Sequence, residues 1–244
     1  MVSIRSIAGC IGVTGNISIL GDFLGFLRAR VPPDPTGVRI NISLLQQVQR
    51  LQQPHFHLNI IRIGLESFTD AENIQIDYSI FKCRNIYAAI GVGVGRVSYF
   101  FVTVAEAGGL DAPTTVSQVE DISSRWVVDN DAIDVSIPFA MSVPSDGGQI
   151  LGKSPVGGPC PGDKDDKGMN GSVVGLFGSE QTARSFSHEV GHYLGLDHQN
   201  GTPINLMAQT SFVMTAGLDV RNAVALTSSQ GNTVSGHCMI APPC

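Results

Sequence analysis

His188-Glu189-Val190-Gly191-His192-Tyr193-Leu194-Gly195-Leu196-Asp197-His198 reads as H-E-x-x-H-x-x-G-x-x-H, and each fixed position has a separate physical job. On a helix, His188 and His192 are four residues apart and project from one face, so both imidazoles can reach one zinc ion. Glu189 travels with them. Its carboxylate can sit beside the metal without ligating it, take a proton from an attacking water and deliver it to a leaving amine. Gly195 can adopt the left-handed conformation that ends a helix, which lets the chain turn so that His198 reaches the same ion from outside the helix. Three neutral ring nitrogens leave a fourth position open, the mark of a catalytic zinc site as opposed to a closed structural one.

The alternative is three core or surface histidines on an ordinary helix. Five residues fixed at these offsets arise by chance roughly once in 10⁵ sequences of this composition. The alternative must also explain why three of the chain's six histidines fall in one eleven-residue segment.

Outward from this segment, the chain reads as a folded α/β protein. A helix over about 179–194 carries the motif, preceded by a short strand over Ser172–Phe177 and a Gly- and Pro-rich stretch from Pro144 to Gly171. Further upstream the pattern gives a strand over His55–Ile63 and a helix that Asp70 can cap, running to about Ala89, with an apolar stripe of Ile74, Tyr78, Phe81 and Ile86. A strand over about 96–104, a helix over 117–127 and a strand over 132–139 follow. Alternating strands and helices predict a mixed sheet. Leu44, Leu45, Val48 and Leu51 recur at helical spacing ahead of Pro54, and Thr227-Ser228-Ser229-Gln230 fits a capping box opening a last helix. Residues 1–38, ending in Val31-Pro32-Pro33-Asp34-Pro35, read as an N-terminal extension to a domain over 39–244.

With 244 residues, 43% hydrophobic and 15% charged, the chain can bury a core without staples. The net charge of -6, with no Lys/Arg block, lacks the footprint of a nucleic-acid binder. The most apolar stretches, Ile7–Leu20 and Tyr87–Ala105, are interrupted by polar residues, so no membrane span is expected. No signal peptide stands out, and Ile7-Ala8-Gly9-Cys10, though shaped like a lipoprotein cleavage box, follows only six residues. Five scattered cysteines contain no C-x-x-C pair; Cys160 with Cys238 is one candidate bridge among several.

The extended zinc motif resembles that of the metzincin metallopeptidases, and Gly195-Leu196-Asp197-His198 followed by Asn205-Leu206-Met207 is similar to the matrixin branch and its bacterial relatives. The resemblance covers about Phe186–Met207. It implies a mixed twisted sheet with long helices, a zinc-dependent endopeptidase with His188, His192 and His198 as ligands and Glu189 as the base, a protein or peptide substrate, and a secreted or extracellular setting. It also implies that Met207 forms the methionine turn beneath the zinc, with Met214 a weaker candidate. Two departures stand out: where some branches place a Tyr two residues after that methionine, this chain has Gln209, and there is no matrixin-type pro-segment, although Cys10 could cap the zinc.

A zinc-holding module without catalysis is the competing reading, and Glu189 argues against it because a structural zinc needs no base. An extended peptide could add to the edge of strand Ser172–Phe177. Asp163, Asp165 and Asp166 could bind calcium, as the family often does, but their spacing matches no EF-hand and a solvated acidic loop is the simpler reading. Gly91-Val92-Gly93-Val94-Gly95 follows a helix and enters a strand, the reverse of a phosphate loop, while His55, His57 and His237 read as structural.

Overall fold

The computed structural model describes residues 11–12, 49–50, 52–146, 148–164 and 168–243. The expected extension over 1–38, Cys10 included, lies outside these residues except at Ile11–Gly12. So does the expected helix over 44–51, except at Gln49–Arg50, which are strand: β1 (Ile11–Gly12) pairs antiparallel with β2 (Gln49–Arg50).

β3 (His55–Ile63) starts directly after Pro54 and is buried at all nine positions, as a central strand covered on both faces must be. Its side chains divide by the period of two. Phe56, Leu58 and Ile60 join one core cluster, and Ile61 and Ile63 join a second. α1 (Asp70–Ala88) opens on a capping box formed by Thr69 and Glu72, so the cap is one residue earlier than the expected Asp70. Its buried face is Ile76, Ile80, Cys83, Ile86 and Tyr87, so Ile86 of the expected stripe meets the core, while Ile74, 64% exposed, and Phe81 face outward. The helix carries apolar residues at helical spacing on two faces, and spacing alone does not say which one meets the sheet.

β4 (Gly93–Val102), α2 (Val104–Ala107), α3 (Val116–Arg125) and β5 (Ala132–Pro138) follow, the latter two close to their expected bounds. The stretch expected to be loop instead contains a hairpin, β6 (Val143–Ser145) and β7 (Gly148–Ile150), and a two-residue strand, β8 (Gly152–Lys153). β9 (Ser172–Val174) leads into α4 (Ser179–Tyr193), and α5 (Thr210–Thr215) and α6 (Ser228–Ser235) close the chain. Thr227 and Gln230 cap α6 as the sequence predicts.

Among the described residues the main sheet is mixed and runs β4-β3-β5-β9-β8, parallel throughout except for β8, which is antiparallel to β9. α1 and α4 lie together against one face, sharing a core of Phe56, Tyr87, Phe186, Val190 and Tyr193, and α3 covers the other through Val119 and Ile122. β9 is therefore an interior strand, flanked by β5 and β8. The expectation that a peptide adds to its edge is corrected by this order: the open edge nearest α4 belongs to β8. No helix among the described residues is long and apolar enough to cross a membrane.

The segment between β8 and β9 is tied down at several points. Cys160 is bridged to Cys238, and the buried Lys164 ammonium donates to the carbonyls of Val128 at 2.7 Å and Ala132 at 2.8 Å and pairs with Asp134 at 3.1 Å. Asp134 also accepts from Asn59 at 2.7 Å. These ties bring Gly157 and Gly158 onto the carbonyls of His192 and Tyr193, so a long irregular segment braces the end of α4.

Candidate metal centre

α4 stays helical through Tyr193 and then stops at Gly195, whose φ of 91° is left-handed. A Cβ there would meet only Thr233 Cγ2 at 3.5 Å, so the backbone angle, not crowding, accounts for the glycine. The turn brings His198 back beside His188 and His192, and one ring nitrogen from each lies within 4.8 Å of the other two. His198 Nε2 is 3.3 Å from His188 Nε2 and 3.1 Å from His192 Nε2.

The opposite ring nitrogens explain which atoms face inward. His188 Nδ1 lies 2.8 Å from the carbonyl of Leu206, and His192 Nδ1 lies 2.7 Å from the carbonyl of Leu196. A carbonyl only accepts, so Nδ1 carries the proton in both rings and each Nε2 presents a lone pair. Burial pushes the pKa of His188 well below its ordinary value and lowers those of His192 and His198, which keeps the rings neutral. Two lone pairs aimed at a third ring nitrogen are poorly satisfied by one shared proton. A tetrahedral ion about 2.0–2.1 Å from each nitrogen separates its ligands by about 3.3 Å, so this donor set fits zinc in both chemistry and spacing.

Glu189 is 6% exposed, and no described residue hydrogen-bonds its carboxylate. Burial pushes its pKa up to about 8, against the opposing pull of Arg184 and Lys153. It faces β8: a Cβ on Gly152 would stand 2.6 Å from Glu189 Cγ and 2.9 Å from Oε1. Met207 is fully buried with its sulfur against α4, where a Cβ on Gly191 would come within 2.7 Å of it. Met214, in contrast, is 62% exposed. The Met207 segment is pinned by its amide donating to Asn205 Oδ1 at 2.9 Å and its carbonyl accepting from Gln199 at 3.0 Å. Asn205 and Gln230 exchange amide hydrogen bonds at 2.9 and 3.1 Å, which holds that segment to α6.

Gln209 and Tyr193 are both engaged elsewhere. Gln209 and Asn200 exchange hydrogen bonds, and the Tyr193 hydroxyl donates to the Pro159 carbonyl at 2.7 Å, a packing role. His57 accepts from the Arg96 amide at 2.9 Å, far along the chain from the triad, and His237 stacks edge-on against Tyr193. Asp163 joins no group of clustered metal-type ligands among the described residues, and Asp165 and Asp166 lie outside them. Sequence reading missed Gly152, whose only signal is a glycine in a Gly-rich stretch. It also missed Arg184, one turn before His188, whose helical spacing from the motif was a usable signal.

No family model matches the chain, and no curated protein matches it. Among solved structures it is similar to archaemetzincin from Methanopyrus kandleri, at 12% identity over 74% of this chain and 94% of that one, with a TM-score of 0.47. It is also similar to a chain in the structure of a chaperone-substrate complex, at 12% identity over 77% of this chain and a TM-score of 0.46, spanning 34% of that chain's length. Both likenesses are too distant to assign a family.

Proposed function

We propose that the chain is a zinc-dependent endopeptidase of the metzincin type, with His188, His192 and His198 holding the ion and Glu189 acting as general base and acid. The observation that carries this reading is the convergence of three Nε2 atoms, two of them presenting lone pairs, beside a largely buried carboxylate that accepts no hydrogen bond from any described residue. Holding such a group largely buried without a hydrogen bond costs stability, a cost that a catalytic base accounts for. A zinc-holding module would gain nothing from it.

A zinc ion bound at these nitrogens supplies polarisation of a scissile carbonyl and acidification of a water. Glu189 takes the proton of the attacking water and returns it to the departing amine, so the nitrogen leaves neutral. The β8 edge offers backbone groups to an extended peptide, and Gly152, having no side chain, lets that backbone lie against Glu189. Substrate is therefore read as a protein or peptide in extended form. The methionine-turn role belongs to Met207, through its packing against α4.

Zinc analysis paired with cleavage of a mixed peptide library, for wild type and Glu189→Ala, tests the assignment. Both proteins are expected to hold zinc, with turnover in the variant lower by about 10²–10⁴-fold. Zinc in both proteins with cleavage by neither would establish the non-catalytic module instead.

A further inference from the structure

Arg184 is 3% exposed, one helical turn before His188 and on the same face of α4. Both terminal nitrogens of its guanidinium are spent on one short segment, while its buried Nε has no hydrogen-bond partner among the described residues. Nη2 donates to the carbonyl of Leu206 at 3.0 Å and to that of Ala208, and Nη1 donates to the Thr210 hydroxyl at 3.1 Å. The Leu206 carbonyl is the same one that accepts His188 Nδ1–H at 2.8 Å. A carbonyl oxygen has two lone pairs, and here one serves the arginine and the other the histidine.

We infer that Arg184 is a positioning residue for the metal centre: it holds the Leu206–Thr210 segment against α4 and thereby fixes the carbonyl that sets the tautomer and ring angle of His188. The inference rests on the zinc reading above. A buried cation so close to a site for a divalent ion is electrostatically unfavourable, and burial already pushes the Arg184 pKa down to about 10. Attraction to Glu189 offsets part of that repulsion, and what only this side chain adds is a planar fork of donors that spans acceptors at 206, 208 and 210 at once. Lysine, with one compact ammonium, reaches fewer of them. Met207 lies inside the clamped segment, so the same contacts press its sulfur onto Gly191 between the two helical histidines.

The test uses the full chain. Zinc affinity is measured by competition with a chromophoric chelator, and the visible absorption of the cobalt-loaded protein reports ligand geometry without any turnover. Arg184→Met is expected to weaken zinc binding about 10–100-fold, the usual effect of losing a group that orients a ligand, and to change the cobalt spectrum. Arg184→Lys is expected to fall between that variant and wild type. Thr210→Val removes only the outermost contact and is expected to stay within about twofold of wild type. If Arg184→Met does not fold, Arg184→Lys carries the same comparison. An arginine variant that folds and shows wild-type zinc affinity and a wild-type cobalt spectrum overturns the inference while leaving the zinc site intact. A wild-type protein that takes up no zinc removes the zinc reading itself, a distinguishable outcome.

Discussion

Gly152 offers the most direct test of how the sheet edge meets the carboxylate. Its φ is not left-handed, so alanine is conformationally acceptable there and only the collision matters. The added methyl would stand 2.6 Å from Glu189 Cγ and 2.9 Å from the carbonyl oxygen of Val173. Ordinary contact begins near 3.4 Å, so either the carboxylate side chain or β8 must move by close to an ångström. Overpacking of this kind costs about 1–3 kcal/mol. If the cost falls on the placement of Glu189, Gly152→Ala lowers kcat/KM about 5- to 150-fold. If it falls on the strand, the melting temperature drops by about 2–4 °C per kcal/mol. The Nδ1 anchors of His188 and His192 are the carbonyls of Leu206 and Leu196, remote in sequence from β8, so zinc affinity is expected to be unchanged. Peptidase assays, chelator competition and thermal melts on one preparation separate these effects. A variant with wild-type activity and wild-type stability would refute the contact between Gly152 and Glu189.

Three further outcomes follow from the packing. Gly195→Ala should lose about 1–2 kcal/mol in urea unfolding, because the residue must hold a φ of 91° while its methyl meets nothing closer than 3.5 Å; an unchanged midpoint would show that the turn relaxes. Asp134→Ala leaves the Lys164 ammonium buried without its carboxylate and should cost about 3–5 kcal/mol, whereas Asp121→Ala, in the exposed pair with Arg125, should cost under about 1 kcal/mol by the same assay. The third concerns His57, whose pKa is lowered from 6.5 to about 4 by burial, then by Arg96, against Asp131, with His55 adding to the lowering. The unfolded chain takes up this proton first as pH falls, so stability present above about pH 6.5 is lost towards pH 4, by at most about 3 kcal/mol. Urea titrations at several pH values should show a shallower acid slope for His57→Gln, and an identical slope would exclude His57 as the source.

The candidate site was legible as a cluster because its residues are local. Three histidines, a glutamate and a glycine within eleven residues have their geometry dictated by one helix and one turn, and both fit the sequence reading. The long elements, β3, α1, α3 and β5, were legible for a similar reason, since each has enough residues to show its period. β6, β7 and β8 were not, because two or three residues rich in Gly and Pro cannot display an alternation. The order of strands depends on pairing between distant segments, so β9 read alone looked like an available edge. The α1 face was misread because Ile74 and Phe81 are as apolar as Ile76 and Ile80, and only contact with the sheet distinguishes them. Arg184 stood at a readable helical spacing from the motif, but its acceptors at 206, 208 and 210 and the meeting of Asn205 with Gln230 are relations across the fold that composition and spacing do not encode.

The Leu196 carbonyl that holds His192 comes from the same six-residue arc that delivers His198. Both rings are thus gauged from a single bend, and the arc behaves like a caliper whose opening is set by its contour length. Lengthening the chain between His192 and Leu196 by even one residue would displace an anchor and a candidate ligand together. The stretch from Gln199 to Ile204 has no such double duty and can vary in length about Gly201, as long as the Gln199 contact to Met207, the Asn200–Gln209 pair and the Ile204 carbonyl's bond to Ala225 are kept. Tolerance to insertion should therefore rise beyond Asn200, with rigid spacing before it and more freedom around Gly201.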